Sequence, residues 1–334
     1  MARPVGWAII LVLAFAAEAR ALSEKANSEW EQMYRRGGAF GRIVLQVKDD
    51  KGFPVEGANV EAYFNANPRG VSVRARTSGD GSIEVEGKSN YDVRFTVDKE
   101  GYYTTSVPYY FHEHATSQED AIQSGRWMPL NQSLAVTLKK VRNPVPMYAR
   151  SIYGLTIPCD QPVGFDLEIG DLVAPNGKGA VPDLVFRVDR RMARGNAPLR
   201  WICSFSNKMD GMQQLSFDTW SRYPTIHEAP SDGYIQPFEP PEYPIFRQSK
   251  ASEVPPSYYQ IFRVRSHSDS AGRIAGAKYG KIEGIGAHDG GQTAVCKIGF
   301  AYWYNPDGTR NLEFNTRRNL GVKRRSGDEL LDKP

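Results

Sequence analysis

Cysteine is absent from the first 158 residues of this 334-residue chain, and the three present, Cys159, Cys203 and Cys296, form no Cys-x-x-Cys pair. That spacing speaks against a structural zinc site and against a thioredoxin-type redox motif. An excess of one charge is also missing, since 42 basic residues face 38 acidic ones for a net +4. Without a basic field there is no electrostatic footprint for nucleic acid, and no DNA or RNA partner is expected. The chain has no His-x-x-Glu or His-Glu-x-x-His pair from which to build a peptidase zinc centre, and its histidines lie near no Gly-x-Ser-x-Gly elbow. After residue 17, no apolar run approaches the roughly 20 residues that span a bilayer.

At the start, Arg3 precedes the apolar run Val5 to Ala17, and Ala19-Arg20-Ala21 supplies the small-residue pattern of a signal-peptidase site. Residues 1–21 read as a signal peptide cleaved after Ala21, with an uncleaved anchor as the other reading. Either places the remainder outside the cytoplasm, periplasmic or secreted, with no membrane span after cleavage. No lipobox-type cysteine lies near the cleavage site. An exported chain permits one disulfide among the three cysteines, and the sequence leaves the pair open. In 22–40, Leu22, Ala26, Trp30 and Met33 form an apolar stripe on a short helix that Gly37-Gly38 ends.

From there the apolar period changes to two. Ile43, Leu45 and Val47 share one face of a strand, and Asp49-Asp50-Lys51-Gly52 turns the chain back. Further runs follow at Ala58–Asn65, Val71–Thr77, Ser82–Glu86, Tyr91–Asp98, Tyr102–Phe111 and Ser133–Leu138, separated by turn residues such as Ser78-Gly79-Asp80-Gly81. Seven short strands, each with one face to hide, predict a β-sandwich over 41–140.

The string Asp50-x-Gly52-x-Pro54-Val55-x-Gly57-Ala58-x-Val60, with Gly41-x-x-Val44 before it and Thr77-x-x-Asp80-Gly81, Tyr91-x-Val93 and Gly101-Tyr102 after it, resembles the carboxypeptidase regulatory-like (transthyretin-like) domain. The resemblance implies a sandwich without catalytic positions, because the zinc ligands of metallocarboxypeptidases belong to a separate domain. No peptidase activity is expected.

Val141-Arg-Asn-Pro-Val-Pro146 begins a Pro-rich connector, 141–150. A second β-rich domain, sandwich or barrel, is expected over 151–316 from the runs Gly164–Ile169, Leu184–Asp189, Leu199–Phe205, Tyr259–Ser266, Tyr279–Ile285 and Val295–Tyr304. Pro306-Asp307-Gly308 predicts a terminal hairpin whose return strand is Asn311–Phe314. This half resembles only uncharacterised secreted bacterial proteins that carry the same N-terminal domain. The charged tail, 317–334, lacks apolar periodicity and reads as disordered at its end.

Several constellations carry possible chemistry. Gly81 to Gly87-Lys88-Ser89 has five residues between its glycines where a phosphate loop needs four. His112-Glu113-His114, His227-Glu228 and His267-x-Asp269 read as surface loops and turns. Asp166, Asp171 and Asp183, with Glu168 nearby and glycines at 177 and 179, offer oxygen ligands for calcium, the one cofactor the sequence suggests. Between Tyr223 and Tyr259, aromatics alternate with prolines, so Tyr234, Phe238, Tyr243 and Tyr258 either stack on a sugar ring or pin a long loop to the core.

The resulting expectation is an all-β, non-catalytic exported protein of structural or binding type. Its ligand is a glycan or an envelope protein. The alternative is a secreted hydrolase with a carboxylate pair drawn from Asp166, Asp171, Glu283 and Asp289.

Overall fold

A computed structural model describes residues 33, 36–114, 121–189, 199–217, 220–240, 257–292, 294–323 and 328–334. The leader and the helix positions Leu22, Ala26 and Trp30 lie outside the described residues, while Met33 is buried in the first core. The fold is nearly all strand, and no helix among the described residues is long and apolar enough to cross a membrane. The chain divides into two compact units, one built from residues up to Lys140 together with Trp220–Arg222, the other from the rest of the described chain.

In the first unit every predicted run forms a strand: β1 (Ala39–Asp49), β2 (Asn59–Phe64), β3 (Val71–Arg76), β4 (Ser82–Ser89), β5 (Asp92–Asp98), β6 (Tyr102–Tyr103) with β7 (Thr105–Tyr110), and β10 (Gln132–Lys140). Two short additions, β8 (Ile122–Gln123) and β9 (Arg126–Trp127), form a hairpin beside β1. One sheet has the order β6-β10-β1-β9-β8 with β4 also on β1, and the other has the order β3-β2-β5-β7. Ile43, Leu45 and Val47 on β1 meet Val60, Ala62 and Phe64 on β2 and Val93, Phe95 and Val97 on β5 in one core, as period-two patterning requires. Turn chemistry is equally local. Asp80 Oδ1 accepts hydrogen bonds from the Ser78 and Ser82 hydroxyls and the Ser82 N–H, and Gly81 adopts φ +76° with Val47 O too close for a Cβ. The would-be phosphate loop after Gly81 is simply β4.

The second unit stacks a four-stranded sheet on a seven-stranded one. The small sheet has the order β13-β12-β14-β15, from β12 (Val163–Asp166), β13 (Asp171–Leu172), β14 (Leu184–Asp189) and β15 (Arg200–Ser204). The large sheet runs β16 (Gly211–Phe217), β17 (Ser257–Ser268), β18 (Ile274–Gln292), β19 (Val295–Asn305), β11 (Val145–Pro158) and β20 (Phe314–Asn319), with β21 (Glu329–Leu330) on β11. Phe165, Phe186, Trp201, Phe262 and Phe300 fill the space between the sheets. Tyr259, Ile261, Tyr279 and Trp303 cover the other face of the large sheet, beneath the loop around residue 230 and the tail.

Three expectations are corrected here. Residues 145–150 are not connector but the first half of β11, which pairs with β19 through Tyr148–Pro158. Pro146 is tolerated because the β11–β20 register breaks between Val145 and Met147, where no ladder N–H is required. Asn311–Phe314 does not return along β19. The turn forms, with Gly308 at φ +87° and Asn305 Oδ1 accepting the Asp307 N–H, but the chain then crosses so that β20 runs parallel to β11. The tail is docked rather than loose where it is described: Leu331 packs on the outer core, the Trp303 indole donates to Lys333 O, and Lys333 pairs with Glu283 at 2.5 Å.

The cysteine question is resolved by strand geometry. Cys159 ends β11 beside the start of β19 and is bonded to Cys296, while Cys203 on β15 is a free, fully buried thiol whose pKa burial pushes up.

Candidate ligand-binding face

The acidic residues singled out in the second half are gathered, but their oxygens already have donors. Asp166 Oδ1 accepts the N–H groups of Glu168 and Ile169, and Oδ2 those of Ala180 and Val181. Burial works against the ionised carboxylate, yet these four N–H groups hold its pKa below the usual range. The stability it contributes is therefore present above the ordinary carboxylate range and is lost as pH falls through it. Asp171 accepts the N–H groups of Leu172 and Lys178. Asp183 accepts the Leu167 N–H and receives the Arg265 guanidinium side-on, at 2.7 and 2.9 Å.

Arg265 also reaches Glu168 at 2.5 Å and stands over the Tyr304 ring, 5.6 Å from its centroid. Beneath the same loop, buried Arg150 donates to the Ile169 and Glu168 carbonyls, and the Tyr302 hydroxyl donates to Leu167 O. The result is a rigid, charge-compensated corner in which a guanidinium stands among the carboxylates. Among the described residues no group of three or more His, Cys, Asp or Glu side chains is gathered for a metal.

This corner yields a direct prediction. Gly170 sits at φ +72°, and a Cβ there would lie 1.4 Å from Arg150 Nη1. Gly170→Ala should destabilise the protein by about 1–3 kcal/mol through overpacking, read from the urea midpoint at constant slope. An unchanged midpoint would show that Arg150 moves aside freely.

Of the four carboxylates in the hydrolase alternative, Asp166 and Asp171 are brought into register, and Glu283 and Asp289 lie apart from them on β18. Asp166 and Asp171 face each other across β12 and β13, whereas Glu283 lies on the face of the large sheet turned away from them and is held by Lys333. Asp289 is opposite Cys296, toward the far end of β18. On the face that carries Glu283, Lys281 is fully buried, its Nζ 3.1 Å from Thr225 Oγ1 and 4.5 and 5.0 Å from the Tyr223 and Trp303 ring centroids. His227 is a further correction: it is not a surface turn but a 9% exposed ring packed on Tyr223, 3.8 Å from Glu313. Its neighbour Glu228 is exposed and pairs with Arg310. His112 and His267 are exposed.

Of the aromatics in the Pro-rich stretch, Phe238 belongs to the core between the sheets and Tyr234 packs partly buried on the outer core. Phe238 is 3% exposed, and its backbone exchanges hydrogen bonds with Cys203. Tyr234 lies under Arg263, 4.5 Å from ring centroid to guanidinium, and its hydroxyl donates to Pro230 O. Tyr258 is half-buried on β17, and Tyr243 lies outside the described residues.

A further set of polar side chains is ordered on the outer face of the β3-β2-β5-β7 sheet. Antiparallel register sets Arg76, Asn59 and Asp98 in one row, Arg74, Glu61, Thr96 and Ser106 in the next, and Ser72, Tyr63, Arg94 and Pro108 in a third. Arg76 Nε donates to Asn59 Oδ1 at 3.0 Å, and Asn59 Nδ2 donates to Asp98 Oδ2 at 3.1 Å. Arg74 bridges both Glu61 oxygens at 3.3 Å, and hydrogen bonds from Ser72 and Arg74 lower the Glu61 pKa. Tyr63 is 44% exposed, its ring laid over Gly70, where a Cβ would come within 2.2 Å of its hydroxyl. A depression of about 360 Å³ runs along the first two rows.

Such exposed ion pairs add little stability. What they provide is an ordered lattice of planar donors and acceptors beside an aromatic face. The sequence signal was present in the polar half of each alternation, Asn59, Glu61 and Tyr63 against Arg74 and Arg76, but only register brings the two strands together.

No family model matches this chain, and no curated protein matches it. Among solved structures, 3-chlorocatechol 1,2-dioxygenase from Rhodococcus opacus aligns at 15% identity and a TM-score of 0.26 over 31% of this chain, which spans 61% of that protein's length. A DUF3823 family protein from Parabacteroides merdae aligns at 6% identity and a TM-score of 0.22, covering 68% of this chain and 91% of that one. A candidate adhesin from Bacteroides ovatus aligns at 12% identity and a TM-score of 0.18, covering 71% and 81%.

Proposed function

We propose that the protein is an exported, non-catalytic binding protein whose first unit is a carboxypeptidase regulatory-like sandwich and whose ligand is a glycan held on the outer face of the β3-β2-β5-β7 sheet. One observation carries this reading: the rows Arg76-Asn59-Asp98 and Arg74-Glu61 are fixed by mutual hydrogen bonds beside the exposed ring of Tyr63. Sugars present vicinal hydroxyls and a C–H face. Paired planar polar groups satisfy the hydroxyls, and an aromatic ring takes the C–H face. The leader motif at Ala19-Arg20-Ala21 supports export.

The test is retention on a panel of immobilised polysaccharides by the chain from residue 22 onward, with the eluate analysed for released sugars. Retention by one polysaccharide without release is expected, weakened about 10–100-fold by Tyr63→Ala combined with Arg74→Ala, the loss of a charged hydrogen bond and a stacking surface. Steady release of sugars would instead establish a hydrolase, and capture of a protein with no glycan retained would replace the ligand class.

A further inference from the structure

A second concavity in the first unit carries charge of one sign. The Gly37-Gly38 turn folds back so that the Arg36 and Gly38 N–H groups both donate to Met33 O. Gly38, at φ +108°, lies so close to Ser89 that a Cβ would be 2.6 Å from its carbonyl carbon. Across from it, the β8–β9 hairpin turns through Ser124 and Gly125, both left-handed at φ +51° and +76°, and Gly125 O receives the Phe40 N–H. Between these walls and Lys88 on β4 is a pocket of about 400 Å³, within the range of small-ligand sites.

Two of its lining residues are apolar, Met33 and Ile122, each a 5% exposed member of the core. Its rim is cationic, since Arg36 and Lys88 both line it and both are exposed. Seven arginines elsewhere, Arg42, Arg74, Arg187, Arg200, Arg265, Arg273 and Arg310, each pair with a carboxylate. Among the described residues Arg36 and Lys88 make no such pair. Two uncompensated cations at one pocket mouth attract an anion, and a fork-shaped guanidinium beside an ammonium suits an oxyanion. The apolar side chains of Met33 and Ile122 and the Ser124 residue beside them ask for more than a bare ion.

We propose that this pocket binds an anionic sugar residue, with its carboxylate or sulfate group on Arg36 and Lys88 and a C–H face on Met33 and Ile122. The ligand is then an acidic glycan. The inference rests on the glycan reading for the class of polymer but uses a different site from the outer sheet face.

Isothermal titration with uronate oligosaccharides, sulfated oligosaccharides, their neutral counterparts and inorganic phosphate tests it, using the chain from residue 22 and two variants. Both altered cations are exposed, so Arg36→Ala/Lys88→Ala should melt at the parent temperature. It should lose about 10–100-fold in affinity for the acidic oligosaccharides, as expected when charge-assisted bonds are removed, while binding neutral ones as the parent does. The uronate and sulfate arms identify which anion is preferred. Unchanged affinity for the acidic oligosaccharides, or equal saturation by inorganic phosphate, overturns the pocket assignment. Failure of every oligosaccharide to bind the parent overturns the glycan reading with it, and loss confined to Tyr63→Ala/Arg74→Ala assigns all binding to the sheet face.

Discussion

Replacing Arg265 by methionine is expected to cost about 3–5 kcal/mol of folding stability, because breaking a buried pair leaves its partners uncompensated. The guanidinium neutralises Asp183, whose side chain is fully buried, and Glu168, and it lies 3.8 Å from Asp166. Methionine keeps much of the aliphatic volume, so the loss reports charge and hydrogen bonding more than packing. The pH dependence gives a second signature. Burial raises the Asp183 carboxyl above its usual range against the pull of Arg265 and the Leu167 N–H, and without the arginine it rises further. A group whose folded pKa is raised binds more protons in the native state, so stability falls as pH climbs from its unfolded to its folded value. The deficit of the variant should therefore grow as pH rises above the ordinary carboxylate range and shrink as pH falls toward it. Chemical denaturation of both proteins at several pH values measures this, and a deficit independent of pH would mean that Asp183 is not the residue left exposed to the change.

Removing the disulfide should cost roughly 2–5 kcal/mol, since it closes a long loop in the unfolded chain. Cys159 and Cys296 are 137 residues apart, so the bond spans much of the second unit, from the end of β11 to the start of β19. The Cys159→Ala/Cys296→Ala variant and the parent protein in strong reductant should show matching lowered midpoints. Cys203→Ala should keep its sensitivity to reductant, because that thiol is buried and unpaired. A thiol titration should find one reactive group per chain after denaturation and none before it. If Cys203→Ala abolishes the effect of reductant, the pairing is different in solution.

Much of the first unit was legible because its strands obey a single local rule. Ile43, Leu45 and Val47 alternate with polar residues, and Pro54, Gly57 and Gly81 mark turns by their backbone needs. The second unit obscured the same rule in two ways. Pro146 stands inside β11 at a break in register, so a breaker signal appeared in the middle of a true strand. β16, with Gly211, Gln213 and Gln214, lies at the edge of the large sheet, where a strand needs fewer branched apolar residues.

Side-chain roles were harder to read for a different reason. Asp166 and Asp183 were visible as acidic residues near glycines, but their chemistry depends on Arg265, 82 residues from Asp183 in sequence. The aromatic ring of Phe238 announces apolar surface without saying whether sugar or core covers it. The row formed by Arg74 and Glu61 exists only once β2 and β3 are in register.

Hydrogen exchange of the chain from residue 22, measured by mass spectrometry with and without the polysaccharide it retains, tests the central claim most directly. The glycan reading predicts added protection in segments 59–64, 71–76 and 92–98, the three strands that carry Asn59, Tyr63, Arg74, Arg76 and Asp98. Protection confined to the Pro-rich stretch around Tyr234 and Phe238, with those three strands unchanged, would contradict it.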